Sequence, residues 1–207
     1  MIKKYNFTEQ DKVGKLGEKL ILNHYNSITD ENGNKYHARA TRLDEQLQGA
    51  DLMVFNQSLK TNYIEVKTDT QIEETKNIAL EYLIEQENGN LQTGCQMKTF
   101  ADFMMYWSYP TNFVRYWNPT KLQPYIVTWI RDSKYKTVKV INENHQGDKW
   151  FAHCLLVPTY EFDKLKQVNS FLVSLNVLQG VLSNQYSWME QQMRMVFFIQ
   201  HQLIYEQ

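Results

Sequence analysis

The chain has 207 residues, 43% of them hydrophobic, with 22 Lys+Arg against 23 Asp+Glu and a formal net charge of −1. That length fits one domain with a packed core, and the balanced charge excludes a global basic field, leaving only local patches for nucleic acid. The two cysteines, Cys95 and Cys154, exclude a disulfide framework, no Cys/His set has zinc spacing, and no apolar window reaches membrane-span length. Met1-Ile2-Lys3-Lys4-Tyr5 runs straight into polar sequence, so no signal peptide is expected. The expected location is the cytoplasm, with no membrane partner.

Residues 8–26 read as a helix. Thr8, with Asp11 three residues on, gives a start like a capping box. Val13, Leu16, Leu20 and Ile21 form one apolar stripe at helical spacing, and Glu18 lies off it. Gly14 and Gly17 each cost about 1 kcal/mol relative to Ala inside a helix, which predicts the close approach of another backbone. Lys12, Lys15 and Lys19 on this helix, with Arg39 and Arg42 further on, are the local cationic candidates for contacting DNA; for the lysines a solvated face is the plainer reading.

Asp30 to Lys35 is a turn-rich loop, and Tyr36 to Thr41 reads as a strand. Two apolar strands follow, Gly49-Ala50-Asp51-Leu52-Met53-Val54-Phe55 and Tyr63-Ile64-Glu65-Val66-Lys67, joined by a hairpin connection over 56–62. Residues two apart on a strand share a face. Glu65 and Lys67 therefore point one way, and Ile64 and Val66 point the other way into a core. Asp51 shares a face with Met53 and Phe55. If the strands pair, three charged groups converge, as needed to hold a hard divalent cation with an ammonium beside it. The acid-x-Lys triplet recurs at Glu74-Thr75-Lys76 and Asp132-Ser133-Lys134, but neither lies in an apolar strand. The plain alternative is a half-buried hairpin with a salt bridge on its wet face.

Beyond Lys67, Asn77 to Glu85 reads as a third core strand. Glu81 shares a face with Ala79 and Leu83 there, so a buried acid needs a partner. Thr99-Phe100-Ala101-Asp102 reads as a capping box opening a helix over 99–107. Tyr125 to Arg131 and Lys136 to Ile141 read as further strands. From Tyr160 onward there is no proline and Gly180 is the single glycine, which predicts helix; Met189, Met193, Val196 and Phe197 fall at helical spacing.

These motifs resemble the PD-(D/E)XK nuclease superfamily, with Asp51 as its first Asp and Glu65-Val66-Lys67 as its E-x-K. Ala50 stands where the family usually has proline. Gly17-Glu18 resembles the first-helix Glu that leans over the metal in such nucleases. The strand Asn77 to Glu81, then Gly94, then Thr99-Phe100-Ala101-Asp102 resembles a branch associated with phages and mobile elements. The resemblance covers residues 10–110 and, more loosely, Leu156-Val157-Pro158.

What the resemblance implies is a restriction-endonuclease-like α/β fold. Its mixed central sheet spans residues 36–84, with the 8–26 helix on one face, the 99–107 helix on the other, and a helical C-terminal extension. Residues 1–158 form the core; residues 159–207 form an extension in the same domain or a dimerisation segment. The implied activity is metal-dependent hydrolysis of DNA phosphodiester bonds. Asp51, Glu65 and the Val66 carbonyl hold Mg²⁺ or Mn²⁺, Lys67 orients water or steadies charge, Glu18 reaches a metal water, and Glu81 is a secondary candidate. The alternatives are a catalytically silent nucleic-acid-binding protein of the same fold, or a phage accessory or structural protein. A homodimer is expected, built on the apolar terminal segment that includes Trp188, Met189, Met193, Met195, Phe197 and Phe198.

Overall fold

Helix α1 (Phe7–Ser27) forms where the apolar stripe predicts it, starting one residue before the expected cap at Thr8. Leu16, Leu20 and Ile21 of this stripe are fully buried. The computed structural model describes residues 7–57, 61–143 and 146–182, with side chains from Gln10 onward. The chain continues through β1 (His37–Ala40), α2 (Leu43–Gln46), β2 (Leu52–Phe55), β3 (Asn62–Asp69), α3 (Ile72–Thr75), β4 (Asn77–Gln86) and β5 (Leu91–Thr93). Then come α4 (Cys95–Lys98), β6 (Phe103–Ser108), β7 (Phe113–Trp117), α5 (Pro119–Arg131), β8 (Thr137–Glu143), β9 (Lys149–Pro158), α6 (Thr159–Phe162), β10 (Val168–Leu172) and α7 (Leu175–Leu182).

The architecture is mixed α/β. A six-stranded sheet runs in the order β1-β2-β3-β6-β7-β10, and β3 and β6 are its parallel pair. The other pairings are antiparallel. On one face, Ile64, Val66, Met105, Trp107 and Val114 pack with α1 and with Leu178, Val181 and Leu182 of α7. On the other, Met104, Tyr106 and Trp117 pack with Leu122, Ile126 and Trp129 of α5 and with β4 and β9. The last two strands belong to a second sheet, β5-β4-β9-β8.

Four expectations are corrected. Residues 99–107 are not a helix: Phe103-Met104-Met105-Tyr106-Trp107 is an apolar run with both faces covered, so it lies as a central strand between β3 and β7. Thr99 bonds the Gly49 carbonyl, and Asp102 exchanges bonds with the Tyr63 backbone at 2.8 Å in each direction, so neither side chain caps a helix. Asn77 to Glu85 is a strand, but it starts the second sheet and is no part of the central one. Tyr125 to Arg131 belongs to α5, whose Asn118 caps the Lys121 amide at 3.0 Å with Pro119 at the first position. Leu122, Ile126 and Trp129 recur there at the helical period. Finally, the stretch from Tyr160 is not all helix: β10 pairs with β7 and completes the main sheet. Residues 168–182 are thus built into the sheet and the α1 core. The segment containing Trp188 through Phe198, and with it the dimer expectation, lies outside the described residues.

Gly17 sets how closely α1 lies on β3. A Cβ there would sit 2.0 Å from Thr68 Oγ1 and 3.4 Å from Val66 Cγ1, while one at Gly14 would meet nothing within 4 Å. The expected close approach therefore holds at one of the two glycines, and the neighbour is a strand side chain. No helix among the described residues is long and apolar enough to cross a membrane.

Candidate active site

Asp51, Glu65 and Lys67 come together where β2 ends beside β3. The Asp51 amide donates to the Ile64 carbonyl at 2.8 Å, and its carboxylate accepts from the Val66 amide at 2.7 Å. Asp51 therefore brackets Glu65, bonding the residue before it and the residue after it. Its side chain occupies the place that the next ladder bond would take. Amide and carbonyl of one extended residue face the same edge, so the Val66 carbonyl points toward the side that Asp51 occupies.

Glu65 is 5% exposed. A carboxylate this deep needs a partner, and Lys67 Nζ supplies it at 2.5 Å from Oε1. Burial works against the Lys67 ammonium, but the charges of Cys95, Glu65 and Asp51 outweigh it and hold its pKa well above the ordinary lysine value. Burial pushes the Cys95 thiol itself up to about 12, so near neutral pH the carboxylates do this work. Lys67 stays an ammonium and acts as a donor and a cation; it is not a proton acceptor.

Negative charge is under-compensated. Burial first, and then the Glu65 charge, pushes Asp51 up to about 6 against the opposing pull of Lys67 and the Val66 amide. Glu18, placed by the α1 approach at Gly17, is pushed up to about 7 by burial and by the charges of Asp51 and Glu65, with Lys15 opposing. Three acids crowd around one half-exposed lysine, an imbalance that a divalent cation would relieve. Among the described residues no three His, Cys, Asp or Glu side chains form a ready-made metal cluster. The donors that would fit are two carboxylates and the Val66 carbonyl, with Glu18 close enough to feel the charges of Asp51 and Glu65. Sparse oxygen sites of this kind, completed by water and phosphate, suit Mg²⁺ or Mn²⁺.

A short wall closes the site. Cys95 opens α4, and its amide donates to Glu81 Oε1 at 2.9 Å. Glu81 thus has the partner that its burial required, and it braces α4. Gly94 lies on the β4 bulge, where an added Cβ would meet Glu81 O, Leu83 N and Tyr82 C at 2.7 Å. Backbone cannot yield as a side-chain tip does. Gly94→Ala should cost about 1–3 kcal/mol in urea denaturation; wild-type stability would contradict this tight seat. Gly49, at φ +88°, lies against Thr99 and ties the same wall to the turn entering Asp51.

The cationic candidates are not gathered at the site. Lys15 pairs with Asp11 at 2.7 Å on the exposed side of α1, and Lys19 is half-buried on the same helix. Arg39 bonds Ala40 O and Met53 Sδ; Arg42 lies 3.6 Å from Asp44 and 3.8 Å from Glu45. Sequence reasoning stopped at Lys67 and missed Asp69, two residues on and on the same face. Asp69 accepts from the Tyr106 hydroxyl, which in turn accepts from the Ala79 amide at 3.4 Å, joining β3, β6 and β4. The period-two rule applied one step further would have found it.

Comparison with protein-family models, with curated proteins and with solved structures finds no match.

Proposed function

We propose that this chain is a metal-dependent DNA endonuclease of the PD-(D/E)XK kind, with a restriction-endonuclease-like core of α1, β1, β2, β3 and β6. The observation that carries the reading is Asp51 bracketing Glu65, with Lys67 paired to Glu65 on a buried strand. The strand that follows the E-x-K strand in the main sheet runs parallel to it, which fits the same core.

In this reading Asp51, Glu65 and the Val66 carbonyl hold Mg²⁺ or Mn²⁺. The bound ion supplies positive charge at the scissile phosphate and a more acidic water. With Glu65 holding the ion, Lys67 would be available beside it as a cationic donor. Its ammonium would donate to the attacking water or to a non-bridging phosphate oxygen, where charge develops. Glu18 accepts from a water at the same place.

The test is cleavage of linear, supercoiled, branched and single-stranded DNA with Mg²⁺ or Mn²⁺, with EDTA and Lys67→Ala as controls. Wild type should cut at least one of these, and Lys67→Ala should lose about 100- to 1000-fold, as when one donor to a developing charge is removed. Binding without cutting in either metal would favour the silent nucleic-acid-binding alternative.

The acids also set a pH dependence. Metal binding needs deprotonated ligands, and Asp51 and Glu18 are pushed up to about 6 and about 7. Apparent Mn²⁺ affinity should fall at least about tenfold from pH 7 to pH 5, because one pH unit below a ligand's pKa leaves about a tenth of it charged. Equal affinity at the two pH values would contradict ligation by Asp51.

A further inference from the structure

A half-open apolar platform lies beside the candidate site on the same sheet face. Tyr63 precedes Glu65 by two residues on β3, so the two side chains share a face about 7 Å apart. Met53 is opposite Tyr63 in register, and Arg39 is opposite Met53. The Phe100 ring lies 5.0 Å from the Tyr63 ring and is 41% exposed. Next to them, Leu43 and Leu47 stand one helical turn apart, 71% and 75% exposed. The buried cluster under α5 covers the far part of this face and includes none of these residues.

One rim of this surface, residues 39–48, is cationic on its outward side. Between Arg39 and Gln48 the charged side chains are Arg39, Arg42, Asp44 and Glu45. Glu45 is covered and occupied: it accepts from the Arg42 amide and from the Tyr63 hydroxyl, and its side chain is 13% exposed. Arg42, 72% exposed, has only long surface pairings, which hold it weakly. Along this rim the outward balance is two cations to one anion, while Asp102 at the inner edge has its carboxylate held by the Tyr63 amide at 2.8 Å. Aromatic and apolar surface rimmed by arginine is what unpaired bases stack on. A base offers its face only where the duplex stack is broken. The 7 Å offset corresponds to about two nucleotide steps of 3.4 Å.

Resting on the nuclease reading, we propose that the Tyr63–Phe100 platform, with Met53 beside it and Arg39 at its rim, stacks an unpaired DNA base about two nucleotides from the bond cut at Asp51 and Glu65. The favoured substrate then carries a single-stranded stretch at the cut.

The experiment compares a fluorescein-labelled duplex with the same duplex carrying a single-stranded gap, by anisotropy in EDTA. A 2-aminopurine in the gap reports stacking, and cleavage of both DNAs in Mn²⁺ is followed separately. Wild type should bind the gapped DNA more tightly. Phe100→Ala should lose about five- to 150-fold on gapped DNA, the range for base-stacking aromatics, with duplex binding unchanged. Phe100→Trp should restore it, which excludes misfolding as the cause. Arg39→Ala should weaken both DNAs alike and lower the salt slope by about one. Equal wild-type affinity for the two DNAs, or gapped binding by Phe100→Ala as tight as wild type, overturns the platform. A preserved gap preference without any metal-dependent cutting overturns the nuclease reading instead.

Discussion

Asp51→Asn should abolish metal-dependent cleavage and at the same time make the metal-free protein more stable. On the proposed function cleavage should fall because a ligand to the cation would be lost; even groups one shell out from a metal cost about 10- to 100-fold when removed, and a direct ligand costs more. Stability rises because Asp51 is pushed up from 3.8 to about 6 by burial and by Glu65. An acid whose folded pKa is raised is penalised only where the unfolded chain would ionise it. The penalty is absent below pH 3.8, grows as pH rises through the window to about 6, and is complete at pH 7. About two pKa units correspond to about 2–3 kcal/mol. Asn keeps an oxygen that accepts from the Val66 amide, so the bracket around Glu65 survives. At about 2–4 °C per kcal/mol for a chain of this size, Asp51→Asn should melt about 5–10 °C higher than wild type at pH 7 without metal. The two curves should converge near pH 4. Excess metal should reverse the order, because it stabilises wild type alone. A variant that melts at or below wild type at pH 7 would show that the crowding of Asp51 by Glu65 is not costly.

Gly17→Val should destabilise the fold and displace Glu18 together. A Cβ at Gly17 would lie 2.0 Å from Thr68 Oγ1, and Leu16, Leu20 and Ile21 around it are fully buried in the same core. Overpacking of this kind costs about 1–3 kcal/mol, occasionally more. The expected fall in Tm is about 5–10 °C. Gly14→Ala is the matched control: nothing lies within 4 Å of its Cβ position, and the change should gain up to about 1 kcal/mol from helix propensity. If α1 tilts away to admit the valine, Glu18 leaves the field of Asp51 and Glu65. Its pKa then returns toward the model-compound value of 4.5, which ¹³C NMR of the side-chain carboxyl would read. A Gly17→Val protein that melts like wild type would contradict the close approach.

The parts of the fold governed by short-range pattern were legible in the chain. The stripe of Leu16, Leu20 and Ile21 announced α1, apolar runs announced β2 and β3, and alternation announced β8. The grouping of Asp51 with Glu65 and Lys67 followed from two strands and the period-two rule. The misreadings have physical causes of two kinds. In the first, period and apolarity competed: Phe103 to Trp107 is apolar on both faces, and a capping-like Thr99-Phe100-Ala101-Asp102 preceded it, yet those polar groups serve Gly49 and Tyr63. In α5 the reverse happened, because β-branched and aromatic residues from Tyr125 to Trp129 masked the period that Leu122 begins. In the second, partners lie far along the chain. Nothing near Asn77 says that β4 will pair with β9 and not with β3, and nothing near Val168 says that it will pair with β7. The same limit hid the wall of the site: Gly94 seats on the β4 bulge, and the next residue, Cys95, comes close enough to Lys67 to feel its charge.

The central claim is that Asp51 and Glu65 hold one divalent cation between β2 and β3. Titration of the DNA-free protein with Mn²⁺ at pH 7.5, following free Mn²⁺ by electron paramagnetic resonance, tests it most directly. Wild type should bind Mn²⁺, Asp51→Asn and Glu65→Gln should both lose that binding, and Glu18→Gln should weaken it without abolishing it. Mn²⁺ binding of wild-type strength in Asp51→Asn or Glu65→Gln, or no binding in wild type, would contradict the claim.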